Sequence, residues 1–222
     1  MLSYPINIDV KGRLCVVIGG GETALRKIQG LLEAGAVIYL IATEVCDTLQ
    51  RLIDEHKVFW AQTEYKHGCI PQGVLCVVAT DDWRINKWAA KEADRKDMLV
   101  NVVTGSSMGE KYRWGFDNPS TIRRGDLMLT ISTGGRAPAL SKLIRQKLET
   151  IFNEDFGRKV EVLGSMRDEV KRTIDDPGER IKFWRDIMTD EMFSPTVDSE
   201  ELGVKIRNAL NSYRAQSHHR TD

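Results

Sequence analysis

Three consecutive glycines, Gly19, Gly20 and Gly21, stand directly after an apolar run and directly before residues of helical periodicity. Gly19-x-Gly21-x-x-Ala24 has the spacing that binds a dinucleotide: the first glycine permits a tight turn, the second lets a pyrophosphate approach the backbone, and the small third residue lets helix pack on strand. Glu22 and Thr23 then open a helix whose free N–H groups favour phosphate. The second apolar run ends in Ile41-Ala42-Thr43-Glu44, where Thr43 or Glu44 could hold the adenosine ribose hydroxyls. With no Arg or Lys there for a 2′-phosphate, NAD is favoured over NADP. A fourth apolar run ends in Thr80-Asp81-Asp82, and two readings stand for its acids: capping of the next helix, or contact with ribose or substrate. Further on, Thr133-Gly134-Gly135-Arg136 precedes a helix with Pro138 in its first turn, and Arg123, Arg124, Lys142 and Arg145 lie near in sequence. A glycine pair at a helix start among arginines suits a carboxylate.

The elements that must carry these residues follow from hydrophobic periodicity. Strands are expected at 14–18, 37–41, 58–60, 74–79 and 98–103, with helices from 23 to Ala34-Gly35, over 47–56, and through Lys96 with Ile85, Trp88, Ala89 and Ala93 on one face. Alternating buried strands and helices predict a doubly wound α/β sheet, Rossmann-like and parallel. Met1 to Gly12 is read as an extended segment lying along this domain. Residues 104–119 change texture, with Tyr112, Trp114 and Phe116 at alternate positions, as in a loop over a site or a short partnered strand. Ser120–Arg124 and Leu127–Ser132 predict a hairpin around Gly125-Asp126, followed by a helix bearing Leu140, Leu143, Ile144 and Leu148. Beyond Ile151 three helices are expected, the first stopped at Asp176-Pro177-Gly178 and the last capped by Asp198 with Glu201.

Composition narrows the classes. The 222 residues carry 32 Lys+Arg and 32 Asp+Glu, so no overall basic field points to nucleic acid. No signal peptide and no apolar run of membrane length is seen, and the cytoplasm is the expected compartment. Cys15, Cys46, Cys69 and Cys76 form no CxxC pair and read as reduced thiols. His67-x-Cys69 lacks the second pair a metal site needs, so no metal is assigned, and the His218-His219 tail is expected to be disordered.

Four segments in order resemble the precorrin-2 dehydrogenase family, the N-terminal region of siroheme synthases: Tyr4-Pro5 through Gly12; Val17-Ile18-Gly19-Gly20-Gly21 with Ala24, Arg26 and Lys27; Ala79-Thr80-Asp81-Asp82 with Asn86; and Arg123-Arg124-Gly125-Asp126-Leu127 through Ile131-Ser132-Thr133-Gly134-Gly135 and Pro138. Gly178-Glu179-Arg180 with Phe183-Trp184 is similar to that family's C-terminal helices. The resemblance implies NAD-dependent oxidation of precorrin-2 to sirohydrochlorin in siroheme biosynthesis, with iron insertion in some members. It implies a homodimer and three parts: a Rossmann domain over 1–110, a small α+β dimerisation segment over 111–150, and a helical domain over 151–222. With no methyltransferase domain following, the chain resembles free-standing members. By position, the cofactor site comprises Gly19, Gly20, Gly21, Glu22, Thr23, Thr43, Glu44, Thr80 and Asp81, and the tetrapyrrole site Asn101, Arg123, Thr133, Gly134 and Gly135. Thr133 stands where some relatives have Ser, and helix-start hydrogen bonding is its alternative role.

One departure bears on chemistry. After Asn101-Val102-Val103 the family carries an Asp, and here Thr104 takes its place. Thr is a poor base at neutral pH, so dehydrogenation with little ferrochelatase activity is expected, with Asp117, Asp81 or Asp82 as the carboxylates nearest in sequence. Two alternatives remain at this point: another NAD(P)-binding enzyme or regulator on the same fold, and a non-catalytic nucleotide- or tetrapyrrole-binding protein.

Overall fold

The computed structural model describes residues 4–103, 112–194 and 197–218, which form two compact units, one of residues 4–118 and one beginning at Pro119. In the first, β1 (Leu14–Ile18), β2 (Val37–Ala42), β3 (Val58–Gln62), β4 (Leu75–Val78) and β5 (Leu99–Val102) make one parallel sheet in the order β3-β2-β1-β4-β5. The inner strands β1 and β4 are continuous apolar runs because both of their faces are covered, whereas the edge strand β3 leaves Phe59 exposed. Cys15 and Val17 point to one side, with Ala24, Leu25 and Ile28 of α1 (Glu22–Glu33) and Leu49 of α2 (Asp47–Asp54). Val16 and Ile18 point to the other, with Ala89, Ala90 and Ala93 of α3 (Trp83–Arg95). The strand order reverses beside β1, where open α/β sheets bind ligands.

Two expectations need correction. Trp88 is exposed, because the buried stripe of α3 is Asn86, Ala89, Ala90, Glu92 and Ala93, and position 88 falls on its far side. The N-terminal segment buries Val10 but leaves Tyr4, Ile6 and Ile8 exposed. The aromatic stretch makes a single parallel bridge to the sheet edge, between Val100 and Gly115: Val100 N–H donates to Trp114 O and Phe116 N–H to Val100 O, both at 3.0 Å.

In the second unit, β6 (Ser120–Arg124) and β7 (Leu127–Ile131) form an antiparallel hairpin, with Gly125 at φ +56° in its two-residue turn. Then come α4 (Pro138–Ile151), α5 (Glu154–Thr173), α6 (Pro177–Ile187), a 3-10 turn (Asp190–Phe193) and α7 (Ser199–His218). Asp176 caps α6 by accepting from Glu179 N–H, and Asp198 caps α7 by accepting from Glu201 N–H at 2.9 Å. Met166, Val170, Phe183, Leu202, Ile206 and Leu210 form a separate helical core. No helix among the described residues is long and apolar enough to cross a membrane.

Candidate functional site

β1 delivers the chain to the three glycines, and each has its own physical reason. Gly19 has φ +113°, and a Cβ there would lie 2.3 Å from Ala79 O; at Gly20 it would lie 1.9 Å from Glu44 O. Gly19 N–H donates to Ile41 O at 3.0 Å, and Cys46 N–H donates to Gly20 O at 2.9 Å. The first two glycines therefore lock the loop between the ends of β4 and β2. Gly21 differs, since a Cβ there would meet nothing within 4 Å. It is the N-cap of α1 and offers no side chain to the first-turn N–H groups, while Ala24 is fully buried against β1. Open space over Gly21 and an uncapped helix start fit a pyrophosphate.

Glu22, Thr43 and Glu44 are exposed, and Thr23 is half-buried, its hydroxyl accepting from Arg26 Nη2 at 3.2 Å. Half-buried Lys27 lies below the usual lysine pKa through burial and then the neighbouring Arg26 charge. The end of β2 is braced by Trp60, whose Nε1 donates to Ala42 O at 2.9 Å. At the end of β4, Thr80 is held by Asn86, and Asp81 is exposed. Asp82 is the cap of α3: its Oδ1 accepts from Arg84 N–H at 2.8 Å, and its carboxylate also takes the Arg84 guanidinium. The Arg84 side chain and then its N–H hold Asp82 below the usual carboxylate range. Gly19 to Thr23, Thr43, Glu44, Thr80 and Asp81 thus share the C-terminal edge of the sheet.

Asn101, on β5, is buried, and both ends of its amide are engaged: Nδ2 donates to Phe116 O at 2.8 Å and Oδ1 accepts from Asn118 Nδ2 at 2.9 Å. It anchors the bridged segment that carries Asp117. Because Gly115 pairs in parallel with Val100, Asp117 emerges exposed at the same C-terminal edge. Thr104 lies outside the described residues, as does His219.

The remaining expected residues lie in the second unit. Thr133 Oγ1 accepts from Ala137 N–H at 3.2 Å and sits 3.1 Å from the buried Ser141 Oγ, a helix-start arrangement. Gly134 and Gly135 have φ of +59° and +76°, and Gly134 N–H donates to Ser132 Oγ at 3.1 Å, which leaves less of the pair for an anion. Arg123 is exposed on β6.

Two buried residues have roles that motif reading passes over. Asn86 and Glu92 are both polar positions on the apolar stripe of α3, and a polar residue breaking such a stripe is the available signal. Glu92, 3% exposed, accepts from Tyr65 Oη at 2.7 Å, Gly68 N–H at 2.8 Å and Ile70 N–H at 3.1 Å, with Lys96 Nζ at 3.5 Å. His67 Nδ1 lies 3.5 Å from the same carboxylate, so the His67-x-Cys69 segment is organised by Glu92. Among the described residues no group of three His, Cys, Asp or Glu could hold a metal, and all four cysteines are free. Burial pushes the Cys15 thiol up to about 11.

With this geometry in view, the comparisons are specific. Residues 6–112 match a family model described as NAD(P)-binding, 124–150 the central part of a sirohaem biosynthesis protein, and 155–199 the sirohaem synthase dimerisation region. A siroheme synthase of Photorhabdus laumondii is 36% identical over 180 residues, covering 81% of this chain and 37% of that protein. One of Actinobacillus pleuropneumoniae is 33% identical over 198 residues, covering 89% and 40%. The chain thus spans about two fifths of the length of these relatives. The solved structure of SirC, precorrin-2 dehydrogenase, superposes with a TM-score of 0.76 at 26% identity, covering 93% of this chain and all of that one. The first unit is accordingly a nicotinamide-dinucleotide domain, and with three successive segments matched in order the chain belongs to the precorrin-2 dehydrogenase family represented within the siroheme synthases.

Proposed function

We propose that this chain is an NAD-dependent precorrin-2 dehydrogenase, and the observation that carries the reading is the open face over Gly21 at an uncapped helix start, in a chain similar throughout to SirC. Precorrin-2 becomes sirohydrochlorin by losing a hydride and a proton, and a bound nicotinamide ring supplies the hydride acceptor. The chain's part is to hold and orient. The N–H groups of Glu22 and Thr23 take the pyrophosphate, Thr43 and Glu44 the adenosine ribose, and Thr80 and Asp81 border the nicotinamide half. Asp81 and Asp117, both exposed at the sheet edge, are the carboxylates suited to accept the proton. Arg123, Thr133, Gly134 and Gly135 are assigned to the tetrapyrrole carboxylates, by charge and by donated hydrogen bonds; Asn101 is left out of that set, because its buried amide is engaged by Phe116 and Asn118.

NAD is the preferred cofactor, since the end of β2 presents Glu44 and no cation, and a carboxylate repels a 2′-phosphate. The functional parts are residues 1–110 for the cofactor, 111–150 for the shared dimer segment and 151–222 for the helical domain. The working unit is a homodimer.

Anaerobic incubation with precorrin-2 and either nucleotide tests this by absorption spectroscopy. Sirohydrochlorin and NADH should form in equal amounts, with NAD bound at least several-fold tighter than NADP by calorimetry. Equal binding of both would remove the ribose role of Glu44. Absence of NADH at every pH would instead leave a binding protein without turnover. Ferrous iron added to the same reaction should be inserted slowly, because Thr104 is a poor base; rapid insertion would mean that a carboxylate elsewhere in the chain serves as the base.

A further inference from the structure

The adenosine side of the cofactor site lies over β2, so in the order β3-β2-β1-β4-β5 the nicotinamide half lies toward the end of β4. That wall is the turn at Ala79-Thr80, which closes directly on the glycine loop: a Cβ on Gly19 would stand 2.3 Å from Ala79 O and 3.2 Å from Thr80 N. A small shift of this turn therefore moves one side of the dinucleotide groove against the other.

One side chain holds the turn from three directions. Asn86 Nδ2 donates to Thr80 O at 2.8 Å, while Asn86 Oδ1 accepts from Thr80 N–H at 3.2 Å and from Thr80 Oγ1–H at 2.6 Å. The amide is 1% exposed and sits on the face of α3 whose other small members are Ala89, Ala90 and Ala93. An aliphatic residue would serve helix packing there without the cost of burying an amide. Three of the amide's hydrogen bonds instead meet the two donors and the one acceptor of a single residue at the site.

We propose that Asn86 is a positioning residue of the nicotinamide half of the cofactor site, acting through Thr80: it fixes the β4 wall against the glycine loop and sets where the nicotinamide ring can lie. The proposal rests on the dinucleotide reading of this site. Asp82, capping the same helix, fixes where α3 begins, so the clamp and the cap together set the distance from helix to turn.

The test compares a whole dinucleotide with its adenine half on the purified full chain. NADH and AMP are titrated by calorimetry against the wild type, Asn86→Ala and Asn86→Asp, the last keeping the acceptor oxygen and losing the bond donated to Thr80 O. Asn86→Ala should weaken NADH about tenfold and leave AMP within about twofold, since the loss is confined to the β4 side. Asn86→Asp should show the same asymmetry at smaller size, and it carries the test alone if the alanine variant does not fold. Unchanged NADH affinity in a folded variant, or equal loss of NADH and AMP, would overturn the proposal. Failure of the wild type to bind either nucleotide would instead sink the cofactor reading beneath it.

Discussion

Gly21 separates recognition from folding at the scale of one residue. Its neighbours cannot change without a clash: a Cβ at Gly20 would sit 1.9 Å from Glu44 O, so Gly20→Ala should cost about 1–3 kcal/mol of stability as the β2 loop is pushed away. At Gly21 nothing lies within 4 Å and the backbone is extended, with φ −84° and ψ −179°, which any residue adopts. Gly21→Leu should therefore keep its melting temperature while NAD affinity falls tenfold or more, about 1.4 kcal/mol per factor of ten. Calorimetry beside thermal unfolding reads both quantities, and an unaltered affinity would reject the pyrophosphate assignment.

Among the elements, α3 does two jobs through two buried polar side chains. Asn86 faces the turn after β4, and six residues on Glu92 gathers the connection between β3 and β4. Burial alone would raise the Glu92 pKa; the Gly68 N–H, the Tyr65 hydroxyl, the Ile70 N–H and the Lys96 charge outweigh it and hold the carboxyl below its ordinary 4.5. A folded-state pKa below the unfolded one means stability that is complete above about 4.5 and is lost as pH falls through the folded value. Glu92→Gln should lower stability by about 2 kcal/mol at neutral pH, because the donors at Gly68, Ile70 and Tyr65 lose their charged acceptor. It should also flatten the acid limb of the stability curve. Urea unfolding of both proteins between pH 3 and 7 checks this, and parallel curves would show that the carboxylate is not the titrating group.

For the whole molecule, the feature that asks for a second copy is α4. Leu140 and Leu143 are 48% and 49% exposed and Ile144 and Leu148 are half-buried, so the apolar stripe read from the sequence is incompletely covered by the described residues. The hairpin of β6 and β7 beside it is only two strands wide, and Leu127, Met128, Leu129 and Ile131 are half-buried. Isologous association covers both. The protein should sediment as a dimer at micromolar concentration, and Leu140→Glu with Leu143→Glu should give a monomer of unchanged helix content, at ~2 kcal/mol for each leucine removed from an interface. A monomeric wild type would refute the dimer and the assignment of residues 111–150.

The parallel sheet, its strand limits to within a residue or two, the hairpin turn, the helix stop at Asp176-Pro177-Gly178 and the cap at Asp198 were legible in the sequence, because each rests on local periodicity or on a side chain reaching its own backbone. The same locality made the glycine loop readable as a dinucleotide site, and four ordered segments made the family recognisable. The fingerprint spacing already pointed to Gly21 for the pyrophosphate; tertiary structure alone decided why Gly19 and Gly20 must be glycine, since that depends on where Ala79 and Glu44, dozens of residues away, bring their carbonyls. It likewise decided that Asn101 secures Phe116 and Asn118, that Trp88 faces outward, and that Asn86 and Glu92 are buried anchors. A buried polar group declares its role only through partners distant in sequence, and pattern along the chain carries no record of which groups the fold sets at 2.6–3.2 Å from it.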